Sequence, residues 1–287
     1  MLDKNVSTFI GCESEYDDAD IVIFGAPFDS TTSFRPGTRF GPSAIRNESF
    51  GIETYSPYQD RDILDINVFD SGDLELAFGS PEQALADIDK RTSVILQDGK
   101  IPFMIGGEHL VTLGAVRAAA KKYDDLHIIH FDAHADLRDD YLGVKLSHAC
   151  VLHRCFDILG DNRIFQFGIR SGDRDEFEFA KAHTYMHRFD LDTLESIVDK
   201  LSGKPVYFTL DLDVLDPSEF PGTGTPEAGG VSFRELLKAV ITLSKLDIVA
   251  LDMNELSPVY DQTGRSTALA CKILREILLA ITNKELK

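Results

Sequence analysis

Cysteine, basic residues and long apolar runs are all scarce in this chain of 287 residues. Its four cysteines form no CxxC pair, so the sequence has neither a zinc-knuckle pattern nor a disulfide framework and suits a reducing compartment. No apolar run reaches the ~20 residues that span a bilayer, and the N-terminal segment lacks the apolar core of a secretory signal. We therefore expect a cytoplasmic protein without a membrane partner.

Lys and Arg total 29 against 48 Asp and Glu, which gives a formal net charge of −19 at pH 7. Binding to phosphate backbones requires a basic surface, so this charge argues against nucleic acid as a partner. The charge would concentrate cationic ligands near the protein, although an acidic surface that serves only solubility is the more ordinary explanation. A small cationic ligand is therefore compatible with the composition but not required by it.

Short apolar runs alternate with longer segments of helical periodicity along the chain. This alternation predicts βαβ units and hence an α/β fold, with a mainly parallel sheet covered by helices on both faces, in a single domain over residues 1–287. The predicted strands are residues 19–25, 101–106, 126–131, 163–168, 205–210 and 247–253. The predicted helices are residues 81–97, 108–123, 191–201, 232–243 and 264–283.

Residues 25–46 form a long loop in this interpretation. It contains one Pro-Gly pair, in RPG (35–37), and one Gly-Pro pair, in FGP (40–42), and such pairs are typical of turns. We expect the segment to be mostly architectural, with Arg35 and Arg46 as candidates for ion pairs within the scaffold.

Polar residues concentrate where four of the predicted strands end, at residues 106–109, 132–136, 211–216 and 252–255. The carboxyl ends of parallel strands form the usual ligand crevice of such a sheet, so these residues should meet at one edge. No GxGxxG follows the first strand, which excludes a dinucleotide-binding oxidoreductase at the level of motifs.

The segment DAHAD (132–136) indicates a metal site. In extended backbone, side chains at i, i+2 and i+4 point the same way, and DLD (211–213) repeats the i, i+2 pairing. Acids and imidazoles gathered without a basic residue repel one another unless a cation neutralises them.

Four carboxylates suit two divalent ions, and an oxygen-rich set with two imidazoles makes Mn²⁺ plausible. The candidate ligands are His109, Asp132, His134, Asp136, Asp211 and Asp213. A solvated acidic loop explains a lone DxHxD, but explains the whole set poorly.

Five stretches resemble the ureohydrolase family, which includes arginases and agmatinases. They are GAPFDSTTSFRPGTRFGPSAIR (25–46), IGGEH (105–109), HFDAHADLR (130–138), LDLDVLDPSEFPGTGTPEAGG (210–230) and LDMNELSP (251–258). The resemblance implies a three-layer αβα fold of the arginase/deacetylase type, two Mn²⁺ per chain and a homo-oligomer, either a trimer or a hexamer.

The resemblance also implies how the ligands divide between the ions. One ion would be held by His109, Asp132, Asp136 and Asp211, and the other by Asp132, His134, Asp211 and Asp213. Asp132 and Asp211 would then bridge the pair. The family hydrolyses guanidino compounds, whose guanidinium carbon is a poor electrophile and needs a strong nucleophile. A hydroxide shared by the two ions would therefore attack that carbon.

Asp136 receives a second role in this interpretation, and four further residues receive roles of their own. Asp136 would accept the hydroxide proton and relay it to the departing nitrogen, and Glu255 would hold the guanidinium through charge-assisted hydrogen bonds. His148 matches the family's active-site histidine, a proton shuttle or substrate contact, although Ala149 stands where the family usually has glycine. Thr225 is a substrate contact or merely a turn residue. His130 shares the strand parity of Asp132, yet the resemblance gives it no ligand role, so we expect a packed or supporting imidazole.

The substrate is predicted to be agmatine, hydrolysed to urea and putrescine. Arginases bind the α-amino acid end of arginine through an Asn two residues after DxHxD, where this chain has Arg138, and HADLRDDYLGVKLSH (134–148) resembles bacterial agmatinases. The acidic Asp139 and Asp140 could attract the ammonium of agmatine. Guanidinobutyrate and formiminoglutamate stay as alternatives, since Arg138 or Lys145 could bind an acidic substrate.

Two hypotheses from other classes remain open. A zinc deacylase of the related fold would use one ion and would not need His109 or a second pair of acids. A non-enzymatic, metal-dependent regulatory or assembly protein could retain an intact fold. Metal counting and urea release would discriminate among the three.

Overall fold

One parallel sheet of eight strands organises residues 7–282, the part of the chain that this computed structural model describes. The strands are β1 (Ile21–Ala26), β2 (Tyr55–Ser56), β3 (Arg61–Asp62), β4 (Val68–Asp73), β5 (Ile101–Gly106), β6 (His127–Phe131), β7 (Ile164–Ile169), β8 (Tyr185–Arg188), β9 (Pro205–Asp211) and β10 (Asp247–Asn254). The sheet order is β4-β1-β5-β10-β9-β6-β7-β8 and every neighbouring pair is parallel, whereas β2 and β3 form a separate antiparallel pair.

Helices cover both faces of the sheet. They are α1 (Gly41–Ser49), α2 (Pro81–Gln97), α3 (Thr112–Lys122), α4 (Val151–Leu159), α5 (Arg174–His183), α6 (Leu194–Leu201), α7 (Phe233–Leu243) and α8 (Arg265–Ile281). Successive strand residues point to opposite faces, so Ile23 joins an apolar cluster with α1, α6, α7 and α8, while Phe24 joins a second cluster with α2, α3, α4 and α5. The predicted three-layer αβα fold is confirmed.

The predicted elements agree closely with the observed ones. All six predicted strands are present, with ends shifted by two residues at most, and the helices predicted at residues 81–97 and 232–243 are observed as α2 and α7. The predicted helix 264–283 is α8, and its expected end at Asn283 lies outside the described residues. Residues 108–123 begin as a single 3₁₀ turn, His109–Val111, and become α-helical only from Thr112. No helix within residues 7–282 has the length and apolarity needed to cross a membrane.

The interpretation of residues 25–46 as a loop is wrong at its end, where α1 begins. Pro42 lies in the first turn of α1, a position where its missing N–H costs no hydrogen bond. A Cβ on Gly41 would lie 2.8 Å from the carbonyl oxygen of Leu256, so only glycine permits this close approach. The FGP motif therefore marks a helix start packed against the segment that follows β10.

The two arginines of this segment behave differently. Arg46 is buried and pairs with Asp70 through two hydrogen bonds, from Nε (2.8 Å) and Nη2 (2.9 Å), and it also contacts Asp73. Its predicted role in a scaffold ion pair is confirmed. Arg35 instead stacks over the rings of Phe34 (4.9 Å) and Tyr260 (5.4 Å), so it acts as a cation on aromatic faces.

Candidate metal centre

Four adjacent strands in the middle of the sheet, β5, β10, β9 and β6, deliver the candidate site residues. His109 follows β5, residues 132–136 follow β6, Asp211 ends β9, and Glu255 comes directly after β10. Parallel strands end on the same edge, so segments more than a hundred residues apart in sequence meet there. The predicted convergence at the carboxyl edge is therefore what the structure shows.

The glycine pair after β5 lets the chain pass closely between its neighbours. A Cβ on Gly106 would lie 1.8 Å from Oδ1 of Asn254, and one on Gly107 would lie 1.9 Å from the carbonyl oxygen of Phe28. Neither position tolerates a side chain. This close passage brings His109 to the cleft, where it is buried.

Three carboxylates surround His109. Its Nδ1 lies 3.0 Å from Oδ2 of Asp136 and 3.1 Å from Oδ2 of Asp132. Oδ2 of Asp211 is 3.5 Å from the same nitrogen. One imidazole nitrogen and three carboxylate oxygens therefore face a common point.

A second group forms around His134. Its Nδ1 lies 3.0 Å from Oδ2 of Asp213 and 3.4 Å from Oδ1 of Asp132. Asp132 thus directs one oxygen to each group, which is the arrangement that a bridging carboxylate requires. Asp211 reaches the first group through Oδ2, while its Oδ1 accepts a hydrogen bond from the backbone N–H of Asp213.

The backbone at two site residues departs from what the sequence argument assumed. Extended geometry accounts for Asp132 and His134 sharing a direction, but Asp136 has φ = 52° and bends the chain back toward His109. Glu255 has φ = 68°. Non-glycine residues with left-handed backbone are uncommon and cost of order 1–3 kcal/mol each, and such strain clusters at functional sites.

A buried hydrogen-bond chain prepares His109 to act as a ligand. Its Nε2 lies 2.9 Å from Oγ1 of Thr209, which donates its own proton to Asp252 at 2.6 Å. Thr209 must then accept from His109, so Nε2 of His109 carries a proton and Nδ1, which faces the carboxylates, is the nitrogen left to bind an ion. Thr209 supports His109 from the side of the ring opposite the carboxylates, and Asp252 acts through Thr209, as partners of metal-binding histidines commonly do. Sequence reasoning missed Thr209, although it stands two residues before Asp211 and therefore on the same strand face.

Burial makes two of these carboxylates, Asp211 and Asp136, hard to ionise in the protein alone. It raises the pKa of Asp211 well above its usual value, and the negative charges of Asp213 and Asp132 raise it further. Burial and the charge of Asp132 raise the pKa of Asp136 to about 7. Conversely, Asp132 and its fellow acids lift the pKa of both His109 and His134 well above the usual histidine value, against the effect of burial.

These properties fit divalent cations. Within the described residues the six donors form ion pairs with imidazoles but with no Lys or Arg side chain, so the chain supplies no permanent cation to the four carboxylates at the edge of the sheet. Hard carboxylate oxygens with two imidazoles suit ions of the Mn²⁺ type. The residues present therefore fit a pair of ions that share Asp132.

His130 is also close to the first group. With His109 and Asp132 it forms a buried set of three possible metal-binding groups. However, its Nε2 lies 2.8 Å from Oδ2 of Asp132, in hydrogen-bonding contact with that carboxylate. The supporting role predicted for it agrees with this contact.

His148 lines the cleft as a neutral hydrogen-bond acceptor. Its Nδ1 lies 3.0 Å from the carbonyl oxygen of Thr31, which can only accept, so the ring proton is on Nδ1. Nε2 then carries a lone pair, 3.3 Å from the hydroxyl of Ser33. Burial lowers the pKa of His148 to about 4, which keeps the ring uncharged at neutral pH. Of its two predicted roles, this geometry favours that of substrate contact.

Glu108 holds the His148 side of the cleft in place and was missed by the sequence argument. Its buried carboxylate accepts hydrogen bonds from the backbone N–H (2.9 Å) and hydroxyl (2.5 Å) of Thr31 and from the hydroxyl of Thr32 (3.0 Å). Thr31 in turn accepts from the backbone N–H of His148 at 3.1 Å. The Glu of the IGGEH motif is therefore a loop anchor, placed next to the candidate ligand His109.

The cleft above the donors has a volume of about 240 Å³. Its walls include Glu255, Thr225 and His148 as well as four of the six donors, His109, His134, Asp136 and Asp211. Glu255 is buried, accepts a hydrogen bond from the backbone N–H of His109 (2.7 Å) and has a raised pKa because of burial and the neighbouring Glu108. Thr225 donates to Oδ2 of Asp213 at 3.3 Å.

The outer wall of the cleft carries one basic side chain. Arg138 pairs with Asp173 (3.0 Å) and Glu176 (3.4 Å) and stacks on Tyr141 (4.6 Å), so its charge is already compensated. Lys145 and Asp139 lie outside this lining and pair with each other. Asp139, which was predicted with Asp140 to attract the far end of the substrate, pairs with Lys145 and Arg154, and neither acid lines the cleft.

A three-layer αβα fold with a shared-carboxylate cluster at the sheet edge defines a metal-binding α/β protein of the arginase/deacetylase type. The sequence matches the Arginase family over residues 19–280. The chain belongs to this family.

Three relatives indicate where in the family it lies. The agmatinase of Bacillus subtilis (strain 168) is 47% identical over 275 residues, which cover 94% of this chain and 95% of that protein. A solved structure from Clostridium difficile, of a protein proposed to be an agmatinase, is 54% identical with a TM-score of 0.92 and covers 94% of this chain and 100% of that chain. The guanidinobutyrase of Pseudomonas aeruginosa is 34% identical and covers 93% of this chain and 88% of that protein. The resemblance stated from the five motifs is confirmed.

Proposed function

We propose that this protein is an agmatinase that hydrolyses agmatine to urea and putrescine with two Mn²⁺ ions. The observation that carries the proposal is the division of the six donors into two groups that share the carboxylate of Asp132. The similarity to agmatinases over nearly the whole chain supports the substrate. A cleft of about 240 Å³ supports a small ligand, since pockets for larger molecules are typically ~300–1,000 Å³.

The proposed ligands divide as the sequence suggested. His109, Asp132, Asp136 and Asp211 would hold one ion, and Asp132, His134, Asp211 and Asp213 the other. When bound, two divalent ions lower the pKa of a shared water by many units and so provide a hydroxide nucleophile near neutral pH. The tautomer of His109 set by Thr209 leaves Nδ1 free for its ion.

Side chains of the cleft would orient the substrate and move the proton. Glu255 faces the guanidinium with a planar carboxylate that one backbone N–H already fixes in orientation. His148 accepts a hydrogen bond from the substrate at Nε2, and Thr225 contacts it beside Asp213. Asp136 accepts a proton at a carboxylate oxygen and passes it to the departing nitrogen.

The environment of Arg138 favours agmatine over guanidino acids. A substrate carboxylate would need a cation that is free to bind it, and Arg138 is engaged by Asp173 and Glu176. The similarity to a guanidinobutyrase keeps hydrolysis of guanidinobutyrate as the second candidate. Under that alternative, Arg138 would leave its acidic partners and bind the substrate.

The test is urea release by Mn²⁺-reconstituted protein with agmatine, arginine, guanidinobutyrate, formiminoglutamate and guanidinopropionate. We expect the highest kcat/KM with agmatine and two Mn²⁺ per chain by elemental analysis. A tenfold preference for arginine or for a guanidino acid would overturn the substrate assignment. One Zn²⁺ per chain with no urea from any compound would favour the deacylase alternative.

The variant Arg138→Met separates the two substrates. If agmatine is the substrate, kcat/KM for agmatine should change by less than about tenfold, because Arg138 only pairs with its neighbours. If guanidinobutyrate is the substrate, the same change should remove a charged contact worth about 1.5–3 kcal/mol, which is ten- to a hundredfold in kcat/KM. A homo-oligomer, a cytoplasmic location and a part in polyamine synthesis stay predictions of the resemblance and composition.

A further inference from the structure

Three polar side chains form a hydrogen-bonded chain behind Asp132, and the proposed reaction does not use any of them. His130 on β6 and Gln166 on β7 are direct neighbours in the parallel register, and both are fully buried. Thr184, which follows α5, donates its hydroxyl proton to Oε1 of Gln166 at 3.2 Å. A buried polar side chain lowers the stability of the fold unless it is hydrogen-bonded, so the hydrogen-bond partners of these side chains indicate their role.

The carbonyl oxygen of Ala135 fixes the orientation of the Gln166 amide. This oxygen lies 2.8 Å from Nε2 of Gln166 and can only accept, so the atom facing it must be the amide nitrogen. The same nitrogen lies 3.2 Å from Nδ1 of His130 and has a second proton to donate there. Gln166 therefore ties the middle of the DAHAD segment to the ring of His130.

The amide in turn fixes the tautomer of His130. Nδ1 accepts from Gln166, so the neutral ring carries its proton on Nε2 and donates it to Oδ2 of Asp132 at 2.8 Å. A nitrogen that carries a proton cannot bind a metal ion. His130 is thus excluded as a ligand by its hydrogen bonds, although its distance from His109 and Asp132 would allow it.

Both oxygens of Asp132 are consequently held by donors. Oδ2 accepts from His130, and Oδ1 accepts from the backbone N–H of His134 at 2.5 Å. Asp132 is the residue shared by the two donor groups, and rotation of its carboxylate about the Cβ–Cγ bond would move both oxygens away from them. The orientation needed to bridge two ions is therefore set by the protein.

We infer that His130 and Gln166 are positioning residues that fix the carboxylate of Asp132 for sharing between two metal ions. This role rests on the proposed function, because it has a purpose only if Asp132 bridges. Supporting partners of this kind typically contribute ten- to a hundredfold to metal affinity. Gln166 acts on Asp132 only through His130, and it also restrains the carbonyl of Ala135 between His134 and Asp136.

The first experiment reads the tautomer in the wild-type protein and needs no catalysis. Nitrogen-15 NMR of the imidazoles, in metal-free protein and after addition of diamagnetic Mg²⁺, should show His130 protonated at Nε2 and unprotonated at Nδ1 in both states. A ring protonated at Nδ1, or Nε2 bound to the ion, would overturn the inference. The assignment is made by comparison with His130→Gln.

The second experiment compares two variants by Mn²⁺ titration, followed by the EPR signal of the free ion. His130→Met removes the donor and should weaken Mn²⁺ binding ten- to a hundredfold while two ions still bind at saturation. His130→Gln restores an amide N–H close to the position of Nε2 and should stay within about threefold of the wild type. At saturating Mn²⁺ we expect KM to be unchanged and kcat to fall in His130→Met, because the substrate does not contact this residue.

The outcomes distinguish this inference from the proposed function. Unchanged Mn²⁺ affinity in a folded His130→Met protein would refute the positioning role while leaving the function intact. Loss of one ion per chain at saturation would make His130 a ligand and would refute the inference as well. If wild-type protein binds two Mn²⁺ but releases no urea, the function fails while both the NMR and the affinity readouts still test the role of His130. Thermal unfolding of each metal-free variant checks that it is folded.

Discussion

Two groups of acids in this protein are neutralised in different ways. In the first group, Asp70 is buried within β4 with both oxygens bonded to the guanidinium of Arg46, and the more exposed Asp73 at the end of that strand also contacts the guanidinium. The acids that end or follow β6 and β9 are buried as deeply as Asp70, yet within the described residues the only basic side chains that they contact are imidazoles. In the first group the chain supplies the cation. In the second group the chain supplies no permanent cation, so a metal ion can take that place. The identity of the basic partner therefore distinguishes a structural acid from a candidate ligand more clearly than burial does.

The largest effect should follow from removing an acid of the second group. Asp211→Asn deletes a carboxylate proposed to bridge the ions, so we expect urea release from agmatine to fall by roughly 10⁴-fold, equivalent to about 5 kcal/mol of transition-state stabilisation. Elemental analysis should show fewer than two Mn²⁺ per chain. The control is Asp199→Asn on the exposed face of α6, which should retain full activity. Activity within tenfold of wild type would remove Asp211 from the site.

The next largest effect concerns the first group. Arg46→Met keeps much of the side-chain volume but leaves Asp70 buried without its partner, which should lower the free energy of unfolding by about 3–5 kcal/mol. Urea denaturation would measure the loss. Lys181→Met is the matched control, because the Lys181–Glu178 pair is exposed on both sides and such pairs contribute ~0–1 kcal/mol. Equal losses in the free energy of unfolding of the two variants would mean that the buried Arg46 pair contributes no more to stability than an exposed pair does.

Much of the fold was readable because its strands are buried on both faces. The runs IVIFGA in β1 and IPFMIG in β5 are continuous apolar segments bounded by loop residues, and parallel strands covered by helices have this composition. β4 (VFDSGD) and β8 (YMHR) were missed because they are the two outer strands of the sheet and carry polar residues. α1, α4 and α5 were also missed, and α1 begins at a Gly-Pro pair that resembles a turn.

The six proposed donors were identifiable from the sequence because their residue types and strand-end positions are both unusual. The geometry that makes them a site was not, since it depends on backbone bends at Asp136 and Glu255 that no spacing rule contains. The supporting residues were hidden for another reason. Glu108, Thr209 and Gln166 act through hydrogen bonds between distant segments, and such pairings follow only from the register of the sheet and its loops.

The imidazoles of the cleft give a third prediction, about pH. Acids raise the pKa of His109 and His134, whereas burial lowers that of His148 to about 4. Between pH 6.5 and 4 the unfolded chain therefore binds a proton at His148 that the folded protein does not bind, so the stability due to this residue falls as the pH falls. Relative to His148→Gln, metal-free wild type should lose up to about 1.4 kcal/mol per pH unit across this range. Urea denaturation at several pH values measures it, and parallel curves would contradict a neutral, buried His148.

The smallest effect is also the one that separates the two acidic groups most directly. In metal-free protein at neutral pH, ionised Asp211 is disfavoured by burial and by Asp213 and Asp132, which is why its pKa is raised. Asp211→Asn should therefore stabilise the metal-free protein by roughly 1 kcal/mol, a change of ordinary size but of the opposite sign to most substitutions. With Mn²⁺ in excess the order should reverse, because the ions bind and stabilise the folded wild type more than the variant. Asp70→Asn should destabilise the protein with or without Mn²⁺, since its cation is Arg46. If Asp211→Asn lowered the free energy of unfolding equally in both conditions, Asp211 would belong with the structural acids, and the distinction between the two groups would not hold.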